Sequence, residues 1–374
     1  MTKRTAFSLT AGIMVSAVAL YLALHRVPFP DLFAYLAQIN YGWVLLSGVL
    51  VVPCFVLRAL RWRITLESRI KLGFWQAFHP LMIGFMLNSI LPGRVGEAAR
   101  PYILTKKENL PFTTGLATVA MERVLDMGFL ILLSVAVLTT LDLAPDLTVS
   151  FGGYQLTPNM LSSLGKGLIR LCLVLMGGIF LILLPLTRSL IQKLILSAPG
   201  LLPFASTSLK QRLREKLMQP LADLINLFAT GFSLLKKPGK TIQCLILTLL
   251  IWGGSALSFY VMAKGCPGVE LSYPESVALM VIICLFIALP SAPGYWGVWE
   301  AGGVFGLSLF GVGAGTAAGY TLANHFIQLL PVIIMGLISA MITGADILRT
   351  PKIRAGTGAG TKSDASPGSG KESL

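Results

Sequence analysis

Charge is scarce in this chain. Only 12% of its 374 residues are Asp, Glu, Lys or Arg, while 55% are hydrophobic and the mean hydropathy is +0.76. That balance excludes a water-soluble globular domain. The five cysteines (Cys54, Cys172, Cys244, Cys266 and Cys284) show no C-x-x-C spacing and lie mostly in apolar runs. They read as small buried packing residues rather than disulfides or ligands. The three histidines, His25, His79 and His325, are scattered, so no metal site is expected. A P-loop is absent, which argues against ATP-driven pumping by this chain. Nucleophile-elbow and H-E-x-x-H patterns are absent too, so neither a cofactor nor a soluble catalytic module is expected.

What is present is apolar sequence in long runs, several reaching the ~20 residues a spanning helix needs. A formal net charge of +14 would suggest nucleic acid in a soluble protein. Here the basic residues fall in short loops between apolar runs, where they serve as cytoplasmic anchors against anionic lipid headgroups. The fold class expected is an all-α polytopic membrane protein. Charge in the loops gives about six full spans: Ala6–Leu24, Trp43–Leu57, Thr114–Leu141, Leu164–Leu186, Thr241–Ala263 and Thr316–Ile347. Arg58, Arg61, Arg63, Arg69 and Lys71 are read as the cytoplasmic flank of the second span.

Two shorter apolar segments do not fit simple crossings. Phe74–Leu91 has basic flanks on both sides, and Glu275–Pro290 leads into a Pro-Gly-rich stretch. Both are read as re-entrant hairpins, the first from the cytoplasm and the second from outside. Each half then reads span, span, re-entrant segment, span. The first half starts inside and the second outside, an inverted-topology repeat. The membrane domain is taken as residues 1–348, with halves of about 1–141 and 164–348. A basic cytoplasmic section, 187–240, lies between spans and carries Leu209, Leu213, Leu217, Leu221, Leu224 and Phe228 near helical spacing, read as a connector on the membrane face. Residues 349–374 read as a disordered cytoplasmic tail.

The chemistry concentrates where the segments break. Asn88–Arg100, NSILPGRVGEAAR, and Leu289–Gly303, LPSAPGYWGVWEAGG, each run Leu-Pro, then glycines, then a glutamate. Asn88, Pro92, Gly93 and Gly96 in the first, with Pro290, Pro293, Gly294 and Gly297 in the second, form the structural motif. Such breaks at bilayer depth are tolerated where backbone is buried in protein or lines a cavity. Arg94, Arg100 and Arg123 are the cations nearest the expected cavity, and a guanidinium fork suits phosphate or carboxylate. The competing reading makes Arg94 and Arg100 loop anchors. Glu97, Glu122 and Asp126 complete the charged set. Either Glu97, Arg123 and Asp126 form an internal salt-bridge network, or a carboxylate binds and releases a proton or cation to drive transport. Glu300 stands almost alone in an apolar segment and needs a cation or a proton. Arg94 or Arg100 from the opposing half is the expected partner. Asn324, His325 and Gln328 read as a helix-to-helix hydrogen-bonding stripe, and Tyr295, Trp296 and Trp299 as interfacial anchors.

Three motifs in order, NSILPGRVGEAARPYIL, MERVLDMGFLIL and LPSAPGYWGVWEAGGVFGLSLFGV, resemble the lysylphosphatidylglycerol synthetase transmembrane-region family, also called flippase-like domain proteins. The resemblance covers about residues 5–347. It implies movement of lipids, such as aminoacylated phosphatidylglycerol or polyprenyl-linked glycolipids, between leaflets. The matching positions are Pro92, Gly93, Gly96, Glu97, Arg100, Glu122, Arg123, Asp126, Pro290, Pro293, Gly294, Gly297 and Glu300. Lacking the large soluble domain of the synthetase members, the chain is expected not to make lysyl-lipid and not to be an enzyme. The leading expectation is a translocase of an anionic phospholipid or polyprenyl-phosphate-linked glycolipid in the bacterial inner membrane, both termini cytoplasmic. Its substrate-binding set is Arg94, Glu97, Arg100, Glu122, Arg123, Asp126 and Glu300. The rivals are a secondary transporter of a small anion, and an enzyme or accessory protein of lipid-linked glycan assembly. Expected partners are the membrane lipid itself, and a lipid-biosynthetic enzyme or a second copy of the chain.

Overall fold

The computed structural model describes residues 3–140, 149–151, 154–156, parts of 163–182, 184–201, 206–231 and 237–344, except 26, 68, 69 and 109. The disordered-tail expectation, the end of the last span and parts of the fourth span lie outside these residues. A short antiparallel hairpin, β1 (Val149–Phe151) and β2 (Tyr154–Leu156), interrupts an otherwise helical chain.

The first half opens with α1 (Lys3–Leu24) and α2 (Phe29–Gln38), which meet at 78°. Pro28 and Pro30 set that corner, since a proline ring suits a first turn but cannot continue a helix across it. Next come α3 (Tyr41–Leu66), α4 (Phe74–Ile90), α5 (Gly96–Glu108) and α6 (Phe112–Thr140). Asn40 caps α3 by accepting from the Gly42 N–H at 3.0 Å. The middle section holds α7 (Pro185–Ser197), α8 (Thr207–Leu213) and, through a π turn, α9 (Gln219–Gly231), which packs on α6 and α7. Leu209, Leu217 and Leu221 of this section face outward. The second half comprises α10 (Pro238–Lys264), α11 (Tyr273–Ile287), α12 (Val298–Ser308) and α13 (Ala314–Thr343). Ser272 and Glu275 close a capping box at the start of α11. Gly344, in the left-handed region at φ 58°, ends α13.

Among the described residues three helices are long and apolar enough to cross a membrane: α3, α10 and α13. The number rises to five if the bent pairs Gly12–Leu24 with Phe29–Gln38 and Met176–Ile182 with Pro185–Gly200 are each one span. At 29 residues α6 is about 43 Å long, but Glu122, Arg123 and Asp126 set it apart from the purely apolar helices. The outer faces of the long helices expose Leu45, Leu46 and Val49 on α3, Leu245, Ile246, Leu249 and Leu250 on α10, and Ile334, Leu337, Ile338 and Met341 on α13. Apolar patches of that extent belong against lipid.

The interior is shared between the halves. One apolar cluster joins α1, α2 and α3 to α10–α13 through Leu32, Val44, Phe259, Met262, Leu279 and Tyr320. A second, around Trp62, Leu81, Met82 and Leu104, joins α3, α4 and α5 to Val332 of α13. The second span extends beyond its expected end. The sequence reading stops it at Leu57, while α3 continues to Leu66 and carries Arg58, Arg61 and Arg63 within the helix.

Candidate functional site

The two broken stretches fold alike. In the first, α4 ends at Ile90, a three-residue 3-10 turn Pro92–Arg94 follows, and α5 starts at Gly96. In the second, α11 ends at Ile287, the turn is Pro293–Tyr295, and α12 starts at Val298. Each turn is Pro-Gly-X, and in each X is a non-glycine residue with positive φ: Arg94 at 53° and Tyr295 at 64°. Such backbone costs of order 1–3 kcal/mol and persists where its surroundings impose it. The turns touch one another and each other's helix ends. Arg94 donates from Nη2 to the Ile287 carbonyl at 2.9 Å, and Gly294 lies against the Ser89 carbonyl of α4.

Glycine is required at two of these positions. The α4–α5 hairpin closes so tightly that a Cβ on Gly96 would collide with the Gly84 carbonyl. The Asn88 side chain accepts from the Gly96 N–H at 2.7 Å, so Asn88 braces the break from α4. Gly297, at φ 87°, presses on the Ser16 carbonyl of α1. Pro290 lies in the extended approach to the second turn, and Ser16 steadies that approach by accepting from the Ala292 N–H at 2.7 Å.

Charge gathers on α3, α5 and α6. Arg61, 1% exposed, donates to both oxygens of Asp126 at 2.7 and 3.0 Å and to Thr248 Oγ1 of α10 at 2.8 Å. Its Nε is 3.8 Å from Glu122. Arg100 pairs with Glu122 at 2.7 Å, the side chains 4% and 2% exposed, and its guanidinium lies over the Trp62 ring. Arg123 bridges Glu97 at 3.7 Å and Asp126 at 3.6 Å. Trp252 Nε1 is 3.4 Å from Asp126 Oδ1. The expected network of Glu97, Arg123 and Asp126 is therefore present, and it is larger than expected. Its inner part, Arg61 with Asp126 and Arg100 with Glu122, is closed off. Its outer edge is open: the Arg123 and Glu97 side chains are 34% and 28% exposed.

The expected partner of Glu300 is corrected. Glu300 is fully buried and pairs with His325 Nδ1 at 2.6 Å, not with Arg94 or Arg100. Its other oxygen accepts from the Gly297 N–H at 2.6 Å. His325 Nε2 lies 2.8 Å from the Gly294 carbonyl, so one imidazole ties the second turn to α13. The aromatic reading changes as well. Trp299 stacks on the His325 ring at 4.6 Å and 10°, and Trp296 sits at 4.5 Å. They enclose this histidine instead of serving only as interfacial anchors. Gln328 meets the expectation for the polar stripe, donating to Ser258 of α10 at 2.8 Å.

Two arginines on α3 were missed because the loop-charge pattern assigned them to a cytoplasmic flank. The helical spacing held the signal: Arg58, Arg61 and Thr65 fall at i, i+3 and i+7 on one face, with Arg63 turned away. Arg63 instead pairs with Glu67, which also binds Lys240 of α10. Among the described residues no group of three or more His, Cys, Asp or Glu converges as a metal site.

Two curated relatives were found. The UPF0104 membrane protein MJ1595 of Methanocaldococcus jannaschii is 22% identical over 363 residues, covering 93% of this chain and 97% of the relative. The glycosyltransferase AglD of Haloferax volcanii is 28% identical over 123 residues, covering 32% of this chain and only 19% of that protein. No solved structure matches. The family described as the lysylphosphatidylglycerol synthase TM region matches residues 9–336. On that match, which takes in both broken turns and the ion-pair cluster between them, this multi-pass membrane protein belongs to the lysylphosphatidylglycerol synthase transmembrane-region family.

Proposed function

We propose that the chain is a lipid translocase, carrying an anionic phospholipid or a polyprenyl-phosphate-linked glycolipid between leaflets of the bacterial inner membrane. One observation carries this reading. Arg123 lies eleven residues into α6, about 16 Å along a spanning-length helix, yet its charged side chain is one-third exposed beside an equally open Glu97. Ionised groups at that depth in hydrocarbon are expensive and belong in a water-filled cleft. A cleft lined by guanidinium suits a phosphate headgroup, while the apolar faces around it suit the tails.

The matched Pro-Gly-X turns support an inverted repeat whose halves, about 1–141 and 164–348, rock about the shared ends of α4 and α11. In this reading α4–α5 and α11–α12 are the re-entrant pairs, and both termini are cytoplasmic. Of the candidate residues, Arg94, Glu97 and Arg123 meet the headgroup. Arg61, Arg100, Glu122 and Asp126 hold the cleft wall, and Glu300 with His325 holds the second turn. The lipid moves without covalent chemistry. Its donor or acceptor enzyme, or a second copy of the chain, is the natural protein partner.

The segment shared with the glycosyltransferase AglD favours a second reading, an accessory role in lipid-linked glycan assembly. Native mass spectrometry of lipid retained through mild-detergent purification tests the first. A specific anionic lipid held by wild type and lost in Arg94→Ala supports it and names the cargo. Equal retention of bulk phospholipid by both proteins refutes it.

A further inference from the structure

The hydrogen bonds of the second turn dictate where its protons sit. His325 Nε2 lies 2.8 Å from the Gly294 carbonyl, and a carbonyl only accepts, so Nε2 carries a hydrogen. Nδ1 lies 2.6 Å from Glu300 Oε1, so one proton stands between those two atoms. The other carboxylate oxygen accepts from the Gly297 backbone N–H at 2.6 Å. The pair therefore holds one exchangeable proton and is neutral as a unit, written either as imidazolium with carboxylate or as imidazole with carboxylic acid. The titratable groups facing this site are Tyr320, whose hydroxyl goes to the Phe259 carbonyl, and Tyr295, which lies under Arg94 of the first turn at 6.0 Å. The other elements packed here present Ser16 from α1, the Ser89 carbonyl from α4, Phe259 from α10, and Ile283 with Phe286 from α11.

Loss of the proton leaves a carboxylate facing an imidazole lone pair, with Glu300 fully buried. An uncompensated charge there is expensive, so proton release and opening of the turn favour one another. The turn is poised to move, because Tyr295 holds φ 64° beside the carbonyl that the imidazole fixes. The way out is short: Trp296, whose ring is 4.5 Å from His325, is 38% exposed. We propose that Glu300 and His325 form a proton-binding site that couples translocation to proton transfer. The bound proton locks the second turn; its release to water opens the turn, and uptake from water closes it again. This deepens the translocase reading and rests on it. Arg94, bonded to the Ile287 carbonyl and lying over Tyr295, carries the change to the headgroup cleft.

E300Q separates the lock from the proton, since its amide still accepts from Gly297 and donates to Nδ1 of a neutral imidazole. Two readouts on the full chain test the site. Tryptophan emission in detergent is followed between about pH 5 and pH 8, where histidine ordinarily changes charge, because Trp296 and Trp299 lie on the His325 ring. Wild type is expected to show a pH-dependent step that both E300Q and W296F/W299F lack. In vesicles carrying fluorescent phosphatidylglycerol, reversing an imposed gradient of about one pH unit should change the wild-type rate by up to about tenfold, the ceiling for one proton. E300Q should show no response to the gradient, and an unfolding midpoint closer to wild type than that of H325A separates lost coupling from lost folding. Wild-type emission without a step, together with lipid movement blind to the gradient, overturns the site and leaves the translocase reading standing. A step or a gradient response that persists in E300Q overturns the assignment to this pair. A step lost in E300Q, with no lipid movement under any gradient, supports the proton site and overturns lipid as its cargo.

Discussion

Replacing Arg61 with methionine gives the sharpest account of what the central charges do for the fold. The side chain is 1% exposed and makes three hydrogen bonds, two to Asp126 and one to Thr248, linking α3 to α6 and α10. Its removal leaves Asp126 nearly buried with only Arg123 at 3.6 Å and the Trp252 N–H at 3.4 Å. Breaking a buried pair from one side costs about 3–5 kcal/mol, because the remaining charge is stranded. At about 2 °C per kcal/mol, the lower end for larger domains, the unfolding midpoint of this 374-residue chain should fall by roughly 6–10 °C. D126L alone should fall similarly. The double variant R61M/D126L removes both charges and fills the space with apolar atoms, so it should recover most of the loss. Differential scanning fluorimetry in one detergent is sufficient. Singles indistinguishable from wild type, or a double that falls by the sum of the two, would refute the buried-pair reasoning.

H325A strands the fully buried Glu300 and should cost about 3–5 kcal/mol, more than E300Q, whose amide oxygen still accepts from Gly297; equal midpoints for the two would count against the pairing. G96A forces a methyl into the Gly84 carbonyl and should prevent a monodisperse product, while G315A, with open space around it, should purify like wild type. Cys266 lies buried in the turn after α10, its thiol pushed up to about 12 chiefly by burial. Maleimide should leave it unlabelled at pH 8 until the protein unfolds, and rapid labelling of folded protein would contradict that placement.

Much of the fold was legible because apolar run length and loop charge act on the same physics as the bilayer. The expected boundaries at Thr241–Ala263 and Thr114–Leu141 lie within a few residues of α10 and α6. The Pro-Gly breaks were legible for the same reason, since few other residues permit a reversal such as that at Gly96. The site was legible in part. Glu97, Arg123 and Asp126 come together as the need of buried charges for partners suggests. Arg58 and Arg61 were hidden because a run of arginines after an apolar segment looks like an anchor, and only the helix's continuation to Leu66 turns Arg61 inward. The His325–Glu300 pair was hidden because its members are 25 residues apart and meet through the packing of α12 on α13. Local pattern carries no information about that contact.

The most direct test of lipid translocation is reconstitution into vesicles with fluorescent phosphatidylglycerol in both leaflets, followed by dithionite quenching from outside. Wild type is expected to carry quenching beyond the outer-leaflet fraction, with R94Q clearly slower and a fluorescent phosphatidylcholine control left behind. Quenching that stops at the outer-leaflet fraction with correctly folded wild-type protein, for phosphatidylglycerol and for a polyprenyl phosphate alike, would contradict the account.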